Sequence, residues 1–315
     1  MLLIFILGAC SNSDNQDEQV EENYPDDSIK IIVPWDAGGD TDAVYRILAE
    51  NLSEVLDQEV IIENIAGGSG VVGSQEALNE NNDGYTLLAI HESLSMSELT
   101  GQADFGVNDF EPVALMTSTY KAVATNKDSS WDDMEDLVED AKENPGEITF
   151  SASIGSISQL EPAMLQTASD IEFNIVGFDG TAERMKAIVG GDVDLGTVSV
   201  TAGKEYLEDD RMKLLGFGGE ERNDQIPDVP TLKEQGIDIV SATNRGLAFP
   251  KDTPDEIVEK MSDALQEVSE SEDFQEKIED MGSEVNFIGD DEYTDYLVEE
   301  EKEIKESLIE SDLMD

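Results

Sequence analysis

Three groups of residues in this chain have types and spacings that could do chemistry. The first is Gly68-Ser69-Gly70-Val71-Val72-Gly73, a GxGxxG run that follows the strand-like Glu59-Val-Ile-Ile-Glu63. Glycines at that spacing let backbone amides approach an anion. An acid about twenty residues on, here Glu92, would grip a ribose if the anion were a dinucleotide. The second is His91-Glu92, the chain's single histidine beside a carboxylate, at the end of the apolar run Thr86-Leu-Leu-Ala-Ile90. Several serines are available for a hydrolase triad, but no G-x-S-x-G elbow exists to hold a nucleophile. An enzyme is therefore not expected. A lone histidine at a strand end is more often a hydrogen-bonded loop residue, and His91 is also a candidate for the lining of a pocket, where it would make binding pH-sensitive. The third is Arg245, in Ala242-Thr-Asn-Arg-Gly-Leu-Ala-Phe249. The other arginines are 46 and 184, inside amphipathic helices, and 211 and 222, in charged stretches; all four read as solvated or ion-paired. Arg245 fits two roles, a fork that binds a carboxylate bidentately or one half of a hinge ion pair.

Composition narrows the partners. The chain has 315 residues, enough for two domains, with 74 acids against 18 bases and a net charge of −56. Such a surface repels nucleic acid and anionic lipid. Because the acids are spread along the chain, they read as a halophilic surface, suited to high salt. No run matches the calcium loop D-x-[DN]-x-[DN]-G, and neither a metal nor a cofactor is expected. The N-terminus sets the compartment. Met1-Leu-Leu-Ile-Phe-Ile-Leu7 is too short to span a bilayer and runs into Gly8-Ala9-Cys10 and then polar sequence. Residues 1–9 read as a signal peptide and Leu7-Gly8-Ala9-Cys10 resembles a bacterial lipobox with Cys10 lipidated. Residues 10–27 read as an acidic tether, with seven acids between 11 and 27. The expected product is exported and anchored to the outer face of the cell membrane. It holds no other cysteine, so an intrachain disulfide is excluded.

These residues need elements to position them. Strand-like runs at 29–33, 60–62 and 86–90 alternate with helical patterns after Asp40 or Thr41 and after Gly73, a βαβαβ series with a parallel sheet. A second series follows Val123: helices at 131–142, 156–168 and 181–189, and strands at 148–152, 173–177, 194–198 and 212–216. Two further helices, 254–268 and 291–309, close the chain. The expected architecture is α/β and two-lobed, with residues 28–123 and 249–315 forming lobe 1 and 124–248 lobe 2. Ligands of such sheets sit beyond the C-terminal strand ends, at loops 34–41, 66–73, 90–93, 151–158, 177–181 and 198–202.

The ordered motifs resemble those of the substrate-binding proteins of tripartite tricarboxylate transporters, the Bug or TctC type, over residues 24–309. They are Tyr24-Pro25, then Pro34-Trp35-Asp36-Ala37-Gly38-Gly39-Asp40-Thr41-Asp42, Glu63-Asn64-Ile-Ala-Gly67-Gly68-Ser69-Gly70 with Gly73, and Asp83-Gly84-Tyr85-Thr86. Ser151-Ala152-Ser153, Gly190-Gly191-Asp192-Val193-Asp194, Pro227-Asp-Val-Pro-Thr231 and Arg245-Gly246 complete the series. The resemblance implies a Venus flytrap fold crossed twice by the chain. It also implies capture of a small organic carboxylate for the membrane components of such a transporter. Phe178-Asp179 stands where relatives carry a basic residue before Gly180, and His91-Glu92 where they often have small or amide residues.

In a −56 protein an anion needs local compensation, and amides at helix N-termini supply it without side-chain charge. The expected binding residues in lobe 1 are Trp35, Gly38, Gly39, Thr41, Gly67, Gly68, Ser69 and His91. Across the cleft they are Ser151, Ser153, Ser156, Gly180, Thr181 and Ser199, with Arg245 at the second crossing. The opening pattern then reads as a carboxylate cradle and not an NAD site, since it follows the second strand of its series. The expectation is a monomeric receptor for a di- or tricarboxylate. The alternatives are an amino acid or aromatic acid, which Trp35 and Phe178 could stack on, and an exported nucleotide-binding protein or enzyme. The charge carries its own prediction. Lowering ionic strength from 1 M to about 10 mM lengthens the Debye length from about 3 to about 30 Å, so the melting temperature should fall substantially. A flat melting temperature across that range would mean that the acids are compensated internally.

Overall fold

The computed structural model describes residues 24–152, 156–178, 181–310 and 314. Cys10, Ser153, Asp179 and Gly180 lie outside the described residues, and for Thr181 the backbone alone is described. The three apolar runs form β1 (Ile29–Val33), β2 (Val60–Asn64) and β3 (Thr86–Ile90), with β1 parallel to both of the others. Between them lie α1 (Asp40–Leu56) and α2 (Val71–Leu78). Helix α1 buries Val44, Tyr45, Leu48 and Leu52, the spacing of one helical face, and so covers one side of β1. After α3 (Ser93–Leu99) comes β4 (Phe110–Asn126), a strand of 17 residues.

The second lobe follows as α4 (Met134–Glu143), β5 (Thr149–Ala152), α5 (Ile157–Ser169), β6 (Asn174–Gly177), α6 (Thr181–Gly190), β7 (Leu195–Ser199), α7 (Val200–Glu208) and β8 (Met212–Phe217). The chain returns through β9 (Ala242–Pro250) to α8 (Asp255–Ser269), α9 (Glu272–Asp280), β10 (Glu284–Gly289) and α10 (Asp290–Glu310). The sheet order is β2-β1-β3-β9-β4-β7-β5-β6, with β8 and β10 also paired to β4. The first part of β4 pairs with β9 and β10, and its last residues pair with β7 and β8. At about 3.3 Å per residue, this one strand runs through both lobes.

The connections expected near 123 and 248 fall on β4 and β9, which pair along their length, Tyr120 with Ala242 through Phe110 with Pro250. The crossing is thus a two-stranded band. The tether was expected to run to 27, yet Tyr24 is buried, its hydroxyl donates to the Gly84 carbonyl at 2.7 Å, and the Asp26 amide donates to Tyr85 Oη at 3.2 Å. Lobe 1 therefore begins by Tyr24. Each lobe has its own core, around Ile31, Leu48, Leu87 and Phe249 in the first and around Leu137, Phe150, Leu195 and Leu215 in the second. A separate apolar seam joins them: Met96 of α3, Leu160 of α5, and Ile304 and Leu308 of α10.

Gly246 marks the tightest point of the band. Its carbonyl accepts the Tyr45 hydroxyl at 2.6 Å. A β-carbon added there would fall on the Tyr293 hydroxyl and lie 2.6 Å from the Ala114 carbonyl oxygen. Gly246→Ala should cost about 1–3 kcal/mol of stability through overpacking, measured by denaturant unfolding. An unchanged midpoint would mean that the band yields at little cost.

Candidate functional site

The loop after β1 carries Trp35, whose indole stacks on His91 with centroids 3.9 Å apart and planes 13° from parallel. The glycine run builds the seat for that pair. Gly67, Gly68 and Gly70 have φ of 143°, 55° and 107°, in the region that favours glycine, and Ser69 between them shares it at 56°. A β-carbon on Gly70 would sit 3.4 Å from the Trp35 ring. One on Gly73 would lie 2.6 Å from the Ile65 carbonyl oxygen and 2.7 Å from Pro34, so this glycine lets α2 press against the loop after β1. Ser69 and Trp35 line a small pocket that continues to Ser93 and Ser97. The GxGxxG pattern thus shapes a lobe 1 wall around a tryptophan–histidine stack.

The N-terminus of α1 departs from expectation. Its capping position is Gly39, which has no side chain to cap with, and not Asp40 or Thr41. The Gly38 amide, expected to serve a ligand, donates to Asp42 at 2.8 Å. Asp42 is buried, which pushes its carboxyl up. Bonds from Arg46 at 2.9 Å, Gly38 and Asn64 outweigh that and hold it below the usual carboxylate range. Thr41 is used by Arg245, whose Nε donates to its hydroxyl at 3.1 Å.

Arg245 is only 2% exposed. Its Nη1 donates to Thr119 at 2.5 Å and reaches the Thr243 carbonyl at 3.5 Å. Among the described residues no carboxylate lies within 4.0 Å of it, so the hinge ion pair is not formed. Nor is the fork open on both sides, because Nε and Nη1 are given to threonine hydroxyls. Thr41 accepts from the guanidinium and so keeps its own hydroxyl proton to donate onward. Burial pushes the guanidinium down, against the pull of Tyr45, Asp40 and Glu92.

Two other cations belong to this neighbourhood. Arg184, read from sequence as solvated or ion-paired at the surface, is half-buried and interacts with Glu161 and Asp40. Lys121, not singled out at all, is half-buried on β4 opposite Ser199. A signal for it was present: residues 112–127 and 239–251 contain no acid, in a chain with 74. The serines of lobe 2 divide. The Ser151 hydroxyl is buried and donates to the Leu195 carbonyl at 3.1 Å, a bond inside the sheet. Ser156 precedes α5, with its hydroxyl 2.8 Å from that of Ser158, and Ser199 precedes α7.

The histidine is not the titrating group. Burial first, then Arg245 and Lys121, push His91 well below its ordinary value, and Nδ1 accepts the Ser93 amide at 3.2 Å. His91 is neutral at pH 7, so its 3.7 Å approach to Glu92 is not an ion pair. Glu92 titrates instead. Burial drives its carboxyl up to about 7, although the Asn244 amide at 2.6 Å, its own amide, Arg245 and Lys121 oppose this. Its Oε2 has no hydrogen-bond partner among the described residues. Glu300 of α10 is raised well above its ordinary value by burial and then by Glu92, and Asn244 bonds both carboxyls.

The sign follows from the raised value. In the unfolded chain the Glu92 carboxyl titrates at its ordinary 4.5, and in the fold at about 7. The fold therefore holds the extra proton, and stability falls as pH rises from about 4.5 to about 7. Glu92→Gln keeps the Oε1 acceptor and removes the charge. Relative to the parent it should gain stability between pH 5 and pH 8, on the order of a few kcal/mol. Melting curves at the two pH values that differ by the same amount would mean that Glu92 ionises as an exposed carboxylate does.

The match to known proteins covers most of the chain. The family model described as "Tripartite tricarboxylate transporter family receptor" matches residues 44–313. A protein of Cupriavidus necator, named "UPF0065 protein in gbd 5'region", is 31% identical over 287 residues, which is 90% of this chain and 87% of that one. Among solved structures, the periplasmic binding protein BugD superposes with a TM-score of 0.80 at 27% identity, over 92% of this chain and 99% of its own. A TctC solute binding protein from Polaromonas gives 0.77 at 27% identity, over 91% and 99%. The family model describes receptors, these two solved neighbours are binding proteins, and the fold is two-lobed. The chain belongs to the tripartite tricarboxylate transporter receptor family.

Proposed function

We propose that this receptor captures a small di- or tricarboxylate outside the cytoplasm and presents it to the membrane components of its transporter. The observation that carries the reading is Arg245, a buried cation with no carboxylate within 4.0 Å among the described residues of a chain that has 74 acids. Burying a charge without a counter-charge is costly, and a bound carboxylate lifts that cost. Thr41 is the contact. Its hydroxyl accepts from Arg245, which polarises it, and it donates to one ligand oxygen. Gly39, the Gly67-Gly68-Ser69 turn, Trp35 and His91 form the wall behind that oxygen. Ser153, Ser156, Gly180, Thr181 and Ser199 close on the ligand from lobe 2.

An aromatic acid fits less well, because Trp35 is already stacked on His91 and Phe178 packs against the core of the second lobe. Proteins sharing the fold at 23% identity have been solved with adipate and with malate, so these acids head the panel to test. The lipobox-like Leu7-Gly8-Ala9-Cys10 supports export and anchoring by lipid on Cys10, and the spread of acids supports a monomer working in high salt.

Calorimetry with dicarboxylates, tricarboxylates, amino acids, aromatic acids and NAD tests the reading. Arg245→Ala should weaken carboxylate binding at least tenfold, about 1.4 kcal/mol, in a protein that still folds. Unchanged affinity would reduce Arg245 to a structural residue. Tight NAD binding with no acid bound would overturn the function.

A further inference from the structure

We infer that Lys121 binds a second carboxylate of the ligand and is the residue by which this receptor selects dianions over monoanions. The inference rests on the proposed function and names a residue of the same site that neither the motifs nor the glycine loops contain.

Geometry puts Lys121 beside Arg245. Thr117, Thr119 and Lys121 alternate along β4, so they share one face of the strand. Arg245 is in register with Thr117 and donates to Thr119. Lys121 is the next residue on that face, about 7 Å further along the strand. That step is comparable to the separation of the acid groups in a short aliphatic dicarboxylate. On its other side Lys121 is in register with Ser199, the residue before α7, a helix of nine residues. Its first amides add positive potential at the same place.

The ammonium is also uncommitted. Among the described residues Nζ has no ion pair within 4.0 Å and no hydrogen bond. The carboxylates within electrostatic reach are Glu161 and Asp40, and the cations are Arg245 and Arg184. Glu161 is buried, and its oxygens already accept from Thr197 and from Ser241, the latter at 3.1 Å. Asp40 is exposed, in the first turn of α1. Half-buried and flanked by two guanidinium groups, the Lys121 ammonium is disfavoured until an anion arrives. Its neighbours come from both lobes, Arg184 and Glu161 from the second and Asp40 from the first. A carboxylate placed there touches the band that joins them. An anion with one acid group satisfies the Thr41–Arg245 pole and leaves this second position empty.

The test compares matched acids of equal chain length at fixed salt: succinate against butyrate, and adipate against hexanoate. Calorimetry is run on the parent, Lys121→Gln and Lys121→Arg. The dianion-to-monoanion affinity ratio is read within each variant, so a partly inactive preparation does not mimic the effect. Lys121→Gln should lose about tenfold or more in dianion affinity and change monoanion affinity by less than about threefold, while Lys121→Arg keeps most of the preference. Equal loss for both acids, or loss for neither, overturns the assignment of Lys121 and leaves the proposed function standing. A parent protein that binds none of these acids overturns the proposed function itself.

Discussion

Arg245 is held at the crossing of β9 and β4 by two threonine hydroxyls, one from β4 and one from α1, with no carboxylate within 4.0 Å among the described residues. A buried guanidinium on such terms constrains everything around it. Strand β9 holds no acid and β4 holds none beyond Glu111, and the helix that supplies Thr41 starts at a glycine. Burial raises the nearby Glu92 carboxyl to about 7 even against the pull of this guanidinium. In a chain with a net charge of −56, the interior at the crossing has the opposite character from the surface. Electrostatic attraction of an anion therefore acts at short range, inside the cleft, where salt screens it least.

The sequence made much of the fold legible, and for identifiable reasons. Strands β1, β2 and β3 are short apolar runs between turns, and α1, α5 and α8 keep their apolar residues on one face. Each of these elements lies within one lobe, so its pattern is set by local packing. Strands β4 and β9 escaped because they serve two environments. Along β4, Val113 to Met116 are core residues, whereas Thr117, Ser118, Thr119 and Lys121 are polar and line the crossing. The Thr243-Asn244-Arg245-Gly246 segment of β9 has no apolar alternation and reads as a connection. Pairing between two strands more than a hundred residues apart, and not local propensity, makes these segments extended.

The candidate site was legible only in part. The glycine run and Trp35 could be recognised because their backbone demands are local. The neutrality of His91 is not legible locally, since it depends on burial and on Arg245 and Lys121, which are remote in sequence. Lys121 and Arg184 carry no motif. What distinguishes Lys121 is negative, the lack of acids around it in a chain where acids are everywhere, and pattern searches for what is present pass over such a signal.

The seam formed by Met96, Leu160, Ile304 and Leu308 has a consequence for how the two halves respond to brine. Helix α10 leaves lobe 1 directly after β10 and rests on α5 of lobe 2, acting as a strap beside the hinge. Any motion that parts the lobes must carry this strap along or wet its apolar underside. Salts excluded from protein surfaces strengthen apolar contacts and, at the same time, weaken exposed charge–charge contacts. As salinity rises, the apolar strap keeps its grip on the two lobes while exposed ion pairs loosen.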